Sequence, residues 1–137
     1  MDKDLNSRVT VMVVGEEPVI QTVLCRTLMR EGFNVLKAGN GAEALAKLNG
    51  GRIDIVLSDV MMSEMDGMEL LVSAKSEHPD TLMILITSAN RDFSGRQILG
   101  AGADDFIEMP FKSDIIRYTM QRAAIRVHEK RSGSVAK

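Results

Sequence analysis

The chain has a single cysteine, Cys25, so an internal disulfide is excluded and a reducing compartment is expected. It has no excess of one charge. Seventeen basic residues against nineteen acidic ones leave −2, which excludes the broad basic footprint of a protein that grips nucleic acid directly. No apolar run is long enough to span a bilayer, and the opening MDKDLNSR is too polar and charged for a secretory signal. There is no internal repeat and no low-complexity segment. The two histidines, His78 and His128, are far apart with no ligand spacing and are expected at the surface. What is there is a globular mixture. The 137 residues, 45% hydrophobic and 26% charged, suit one cytoplasmic domain around one core.

Short β-branched runs alternate with segments of helical period. Residues 9–14 (VTVMVV) predict a strand buried on both faces, ending at Gly15. Pro18 suits the first turn of a helix that Gly32 stops. Residues 34–38 (NVLKA) read as a more polar strand near an edge, 41–48 as a short helix, and 53–58 (IDIVLS) as a third strand. A loop, DVMMSEMDG, leads to a helix over 68–77, with Asp66 as its cap. Residues 82–87 (LMILIT) predict a central strand. A helix is expected over 91–101, weakened by Ser94, Gly95 and Gly100. Residues 105–108 form the fifth strand, preceded by Asp104 and opened by Asp105, which read as solvated turn acids. Ser113 caps a last helix whose buried face is Ile116, Met120, Ala123 and Val127, and RSGSVAK reads as a loose tail. Residues 1–8 are then an extension, 9–128 the domain, and 129–137 a tail or the start of a linker.

Five strands alternating with five helices imply an α/β fold, a doubly wound parallel sheet in the order 2-1-3-4-5. In such sheets the working residues gather at the carboxyl ends of the strands. That rim carries Gly15-Glu16-Glu17, Asp59, Thr87-Ser88 and Met109-Pro110.

The stretches VMVVGEEP, DIVLSDVMMSEMDGMELL, ILITSAN and GAGADDFIEMPF resemble, in order and spacing, the receiver domain of bacterial two-component response regulators, a flavodoxin-like fold. The resemblance runs from about Val9 to about Val127. It implies that Asp59 is the phosphoacceptor, supplied by a histidine kinase or phosphotransfer protein. It implies magnesium beside Asp59, held by acids after strand one and by the backbone carbonyl of Met61. It gives Thr87 a phosphate hydrogen bond and makes Phe106 the aromatic that swings on activation. It puts a lysine before a proline joined by a cis bond. The proline is Pro110, and the lysine's place holds Met109. One acid's place holds Gly15, and Glu16 keeps the other. The face of the fourth helix, fifth strand and last helix is implied for self-association or for an output domain, with Arg117, Arg122 and Arg126 near it.

Those departures matter physically. A carboxylate attacks an anionic phosphoryl group poorly unless cations neutralise the gathering charge. Hard oxygen ligands hold magnesium, and an ammonium stabilises the transferred oxygens. Gly15 removes a ligand, and Met109 replaces a cation with a weak thioether acceptor. Magnesium is therefore expected to bind weakly or not at all, with Lys112 as a distant substitute for the ammonium. Two readings stay open. One is a receiver that still accepts phosphate on Asp59 with weakened chemistry. The other is a pseudo-receiver acting as an interaction module without phosphate. The survival of Asp59, Thr87, Phe106 and Glu16 together favours the first. Neither is a turnover enzyme beyond slow self-phosphorylation and dephosphorylation. A haloacid-dehalogenase-like phosphatase would need a second aspartate at Met61, and a flavin site would not tolerate the acids of GEEP.

Overall fold

The apolar runs of the sequence become the middle of a sheet. The computed structural model describes residues 3–88 and 93–136. Its elements are α1 (Lys3–Asn6), β1 (Thr10–Val14), α2 (Pro18–Arg30), β2 (Asn34–Ala38), α3 (Gly41–Gly50), β3 (Ile55–Asp59), α4 (Gly67–Glu77), β4 (Leu82–Ser88), α5 (Gly95–Gly100), β5 (Asp105–Met109) and α6 (Ser113–Ala136). The strands form one sheet in the order β2-β1-β3-β4-β5, and every pair is parallel. This is the flavodoxin-like receiver architecture. β1, β3 and β4 are buried almost throughout, because helices cover both faces. β2 lies at an edge and is mostly exposed.

Strand side chains alternate between two cores. Val11, Val13, Leu57, Ile84, Ile86 and Ile107 pack with Leu24 and Leu28 of α2 and with Ile116 and Met120 of α6. Met12, Val14, Val56, Met83 and Leu85 face the other way, onto Leu48, Leu70, Leu71 and Ile98 of α3, α4 and α5. Gly32, at φ 95°, ends α2 in the left-handed region, where a side chain would be strained. Asp66 caps α4, its carboxylate accepting the Glu69 N–H at 2.9 Å.

Four features differ from the sequence reading. Residues 3–6 form a helix, α1, pinned by the buried Asn6, whose side-chain amide donates to the Glu31 carbonyl at 2.6 Å. α6 runs on to Ala136 through most of the segment read as a loose tail. Ser94, read as a helix weakener, is the N-cap of α5, in a capping box with Gln97; residues 89–92, where that helix was expected to begin, lie outside the described residues. Asp104 and Asp105 are not merely solvated. Asp104 accepts the Met83 N–H at 2.8 Å and pairs with Lys75 at 2.6 Å and Arg126 at 3.0 Å. Asp105 pairs with Arg122 at 3.0 Å.

Candidate functional site

Topology brings the ends of β1, β3, β4 and β5 to one rim, and two glycines set how closely their groups approach. Asp59, half-buried, is the last residue of β3. Behind it the first turn of α4 comes so near that a Cβ at Gly67 would strike the Asp59 carbonyl and stand 2.8 Å from the Val60 Cα. The Gly67 N–H donates to the Val60 carbonyl at 2.7 Å. That turn fixes the backbone from which the Asp59 side chain departs. On the other side, a Cβ at Gly15 would lie 2.6 Å from Asp59 Oδ2. The carboxylate occupies space that only a glycine leaves open.

The remaining rim residues are engaged in specific ways. Glu16, exposed on the loop after β1, accepts the Ser63 N–H through Oε1 at 3.0 Å and the Ser63 hydroxyl through Oε2. Thr87, buried in β4, donates its hydroxyl to the Phe93 carbonyl at 2.7 Å. Met61 is exposed. The Met109–Pro110 peptide is cis. The Met109 side chain is partly buried against the α2/α6 core, as Ile20 and Phe111 are. Phe106 packs partly buried on the opposite core, its ring so close to Gly95 that no Cβ fits there. Lys112 lies exposed on the turn before α6, and its carbonyl accepts the Ile115 N–H at 3.0 Å. His78 and His128 are partly exposed; their rings meet the Asn49 side chain and the Leu5 carbonyl.

The arrangement does not make a ready magnesium site. Gly15 offers no ligand, both Glu16 oxygens are bonded to Ser63, and no group of three metal-binding side chains occurs among the described residues. Asp59 and the Met61 carbonyl are the hard oxygens left at this rim, and water would have to supply most of an octahedral shell. Sequence reasoning singled out Asp59, Gly15 and Met109 from the strand ends and the receiver resemblance, and the structure sets Asp59 last in β3, Gly15 just after β1 and Met109 last in β5. It missed Ser63 and the Phe93 carbonyl. Ser63 stands 47 positions from Glu16, and no local signal joins the two.

The family model for the response regulator receiver domain matches residues 11–121. The chain is 37% identical to the probable transcriptional regulatory protein TcrX of Mycobacterium tuberculosis over 75% of its own length and 44% of that protein. It is 36% identical to the sensor kinase CckA of Brucella abortus over 79% of its length and 12% of that protein. It therefore spans less than half the length of these curated relatives. Among solved structures it is similar to the receiver domain of NtrX from Brucella abortus, with a TM-score of 0.78 at 30% identity, covering 83% of this chain and 97% of that one.

Proposed function

The chain belongs to the response regulator receiver family, and on that premise we propose that Asp59 accepts a phosphoryl group, slowly, as part of a cytoplasmic phosphorelay. Receiver domains work with histidine kinases and phosphotransfer proteins, generally bind magnesium, and are generally not enzymes in their own right. No helix among the described residues is long and apolar enough to cross a membrane. The observation that carries the proposal is the placement of Asp59, half-buried at the carboxyl end of β3, beside the end of β4 where Thr87 carries its hydroxyl.

In the transfer, a carboxylate oxygen of Asp59 attacks the phosphorus of a phosphohistidine or acyl phosphate. The new P–O bond forms as the bond to the donor nitrogen or oxygen breaks, and the electron pair leaves with the donor. Thr87 assists once its hydroxyl gives up the Phe93 carbonyl and donates to a phosphoryl oxygen. The product carries roughly two negative charges at neutral pH, placed where Met109 supplies no cation. Losing one aimed donor of this kind costs on the order of a hundredfold to a thousandfold in rate. The signal then passes to the face of α5, β5 and α6, where Leu99, Ile115 and Tyr118 are exposed. A second copy or an output domain is the proposed occupant of that face.

The test is intact mass after incubation with acetyl phosphate and magnesium. Wild type gains the mass of one phosphoryl group slowly, and Asp59→Ala gains none. A second reading, the pseudo-receiver, is favoured by one observation: Glu16 is already tied to Ser63. It predicts no mass gain in wild type, nor after Gly15→Asp and Met109→Lys are combined.

A further inference from the structure

The contact between Glu16 and Ser63 joins two loops that nothing in the sequence links. Glu16 sits on the loop after β1, and Ser63 sits midway along the loop between β3 and α4. One serine satisfies both carboxylate oxygens, through its backbone N–H at 3.0 Å and through its hydroxyl. Bonds to an ionised acceptor are shorter and stronger than neutral ones. Both residues are exposed, so the pair adds little to global stability. Its effect is on geometry. The same loop is closed behind Asp59 by the Gly67 N–H on the Val60 carbonyl at 2.7 Å and by the Asp66 cap on the Glu69 N–H at 2.9 Å. The segment beside Asp59 is thus held by protein groups at its middle and at its far end.

We propose that Ser63 is a positioning residue that ties up the Glu16 carboxylate, so that the Asp59 loop is ordered without a divalent cation and the domain responds little to magnesium. A cation held here by the largest number of protein oxygens would take Glu16, Asp59 and the Met61 carbonyl, with water completing its shell. Each Glu16 oxygen keeps a lone pair beyond its Ser63 bond, but Ser63 fixes the carboxylate's orientation, so re-aiming it at a cation means giving up those two bonds. Losing one such bond in an exposed pair shifts an equilibrium by about a few-fold. This inference uses the receiver reading only to locate the cation, and its test involves no phosphorylation.

The experiment follows backbone amide exchange of residues 60–66 and magnesium binding by calorimetry, in wild type, Ser63→Ala, and Ser63→Ala combined with Glu16→Gln. In wild type, protection of the loop in EDTA equals protection in millimolar magnesium. In Ser63→Ala, protection in EDTA falls, magnesium restores it, and the ion binds a few-fold more tightly than in wild type, about threefold. Glu16→Gln added to Ser63→Ala abolishes that gain. A serine that merely packs the loop would lower protection without creating a magnesium response. The proposal is overturned if wild type already gains protection with magnesium, or if Ser63→Ala leaves both protection and magnesium affinity unchanged. Ser63→Pro, which removes the N–H as well as the hydroxyl, strengthens both effects if the proposal holds and changes neither if it does not.

Discussion

At Gly15 a side chain would start 2.6 Å from Asp59 Oδ2, and that distance gives Gly15→Asp two opposed effects. The new carboxylate must push the Asp59 side chain aside, and two like charges then share one small region. Without a cation this costs on the order of 1 kcal/mol, a fall of about 3–5 °C in Tm for a chain of this size. With a divalent cation the same pair becomes a ligand set. The expected result is a lower Tm in EDTA that millimolar magnesium restores, while wild-type Tm stays level. An equal loss in both conditions means that the two carboxylates do not meet as the geometry requires. The strand pattern placed Gly15 and Met109 at strand ends, and only the receiver resemblance made them read as departures. What the side chains bond to was not legible. Thr87 donates to Phe93, six residues on, and Glu16 accepts from Ser63, 47 residues on. Both partners depend on strand order and on loop paths that no local pattern encodes.

Among the elements, Asp104 ties α4, β4 and α6 together through Lys75, the Met83 N–H and Arg126. Burial alone would raise its pKa. The Lys75 bond, the Met83 amide and the nearby charges outweigh burial and hold the carboxyl below the ordinary carboxylate value of 3.8. A folded pKa below the unfolded one means that the ionised group stabilises the fold above the unfolded pKa and ceases to as pH falls through the folded pKa. Asp104→Asn should therefore lower stability by about 2 kcal/mol at neutral pH, and the gap between variant and wild type should narrow below about pH 4. Urea unfolding at pH 7 and at pH 3 checks both halves; a gap that does not shrink at pH 3 contradicts the assignment. Sequence reasoning took Asp104 for a solvated acid because its neighbours, GADD, look like a turn. Its partners arrive from residues 75, 83 and 126. The element α5 shows the converse case. Ser94 lowers helix propensity inside a helix but favours its start, and the boundary at residue 94 decided between the two.

At the scale of the whole molecule, the order and direction of the strands were legible from alternation together with the apolar runs of strands one, three and four. Connections between parallel strands cross in one hand, and the apolar runs of β1, β3 and β4 leave them only the interior of the sheet. The chain's ends were less legible. α1 and the last turns of α6 meet where His128 contacts the Leu5 carbonyl and Arg131 reaches the Arg8 carbonyl and Asp54. Those contacts are tertiary, and they help to hold the last part of α6, in a segment whose serines and glycine form helices poorly. The molecule that results keeps the receiver's frame; on the proposed reading Asp59 is its acceptor, and Gly15 and Met109 stand where an acid to hold the metal and a cation to meet the phosphoryl group would be expected.

The measurement that bears most directly on this account is the initial rate of Asp59 phosphorylation by acetyl phosphate, followed by intact mass at fixed magnesium, in wild type and Met109→Lys. An ammonium at the end of β5 should speed the reaction by about a hundredfold or more, with the wild type slow and Asp59→Ala unreactive. Wild type reacting as fast as Met109→Lys would show that the charge Met109 lacks is not what limits this site, and the account would be wrong.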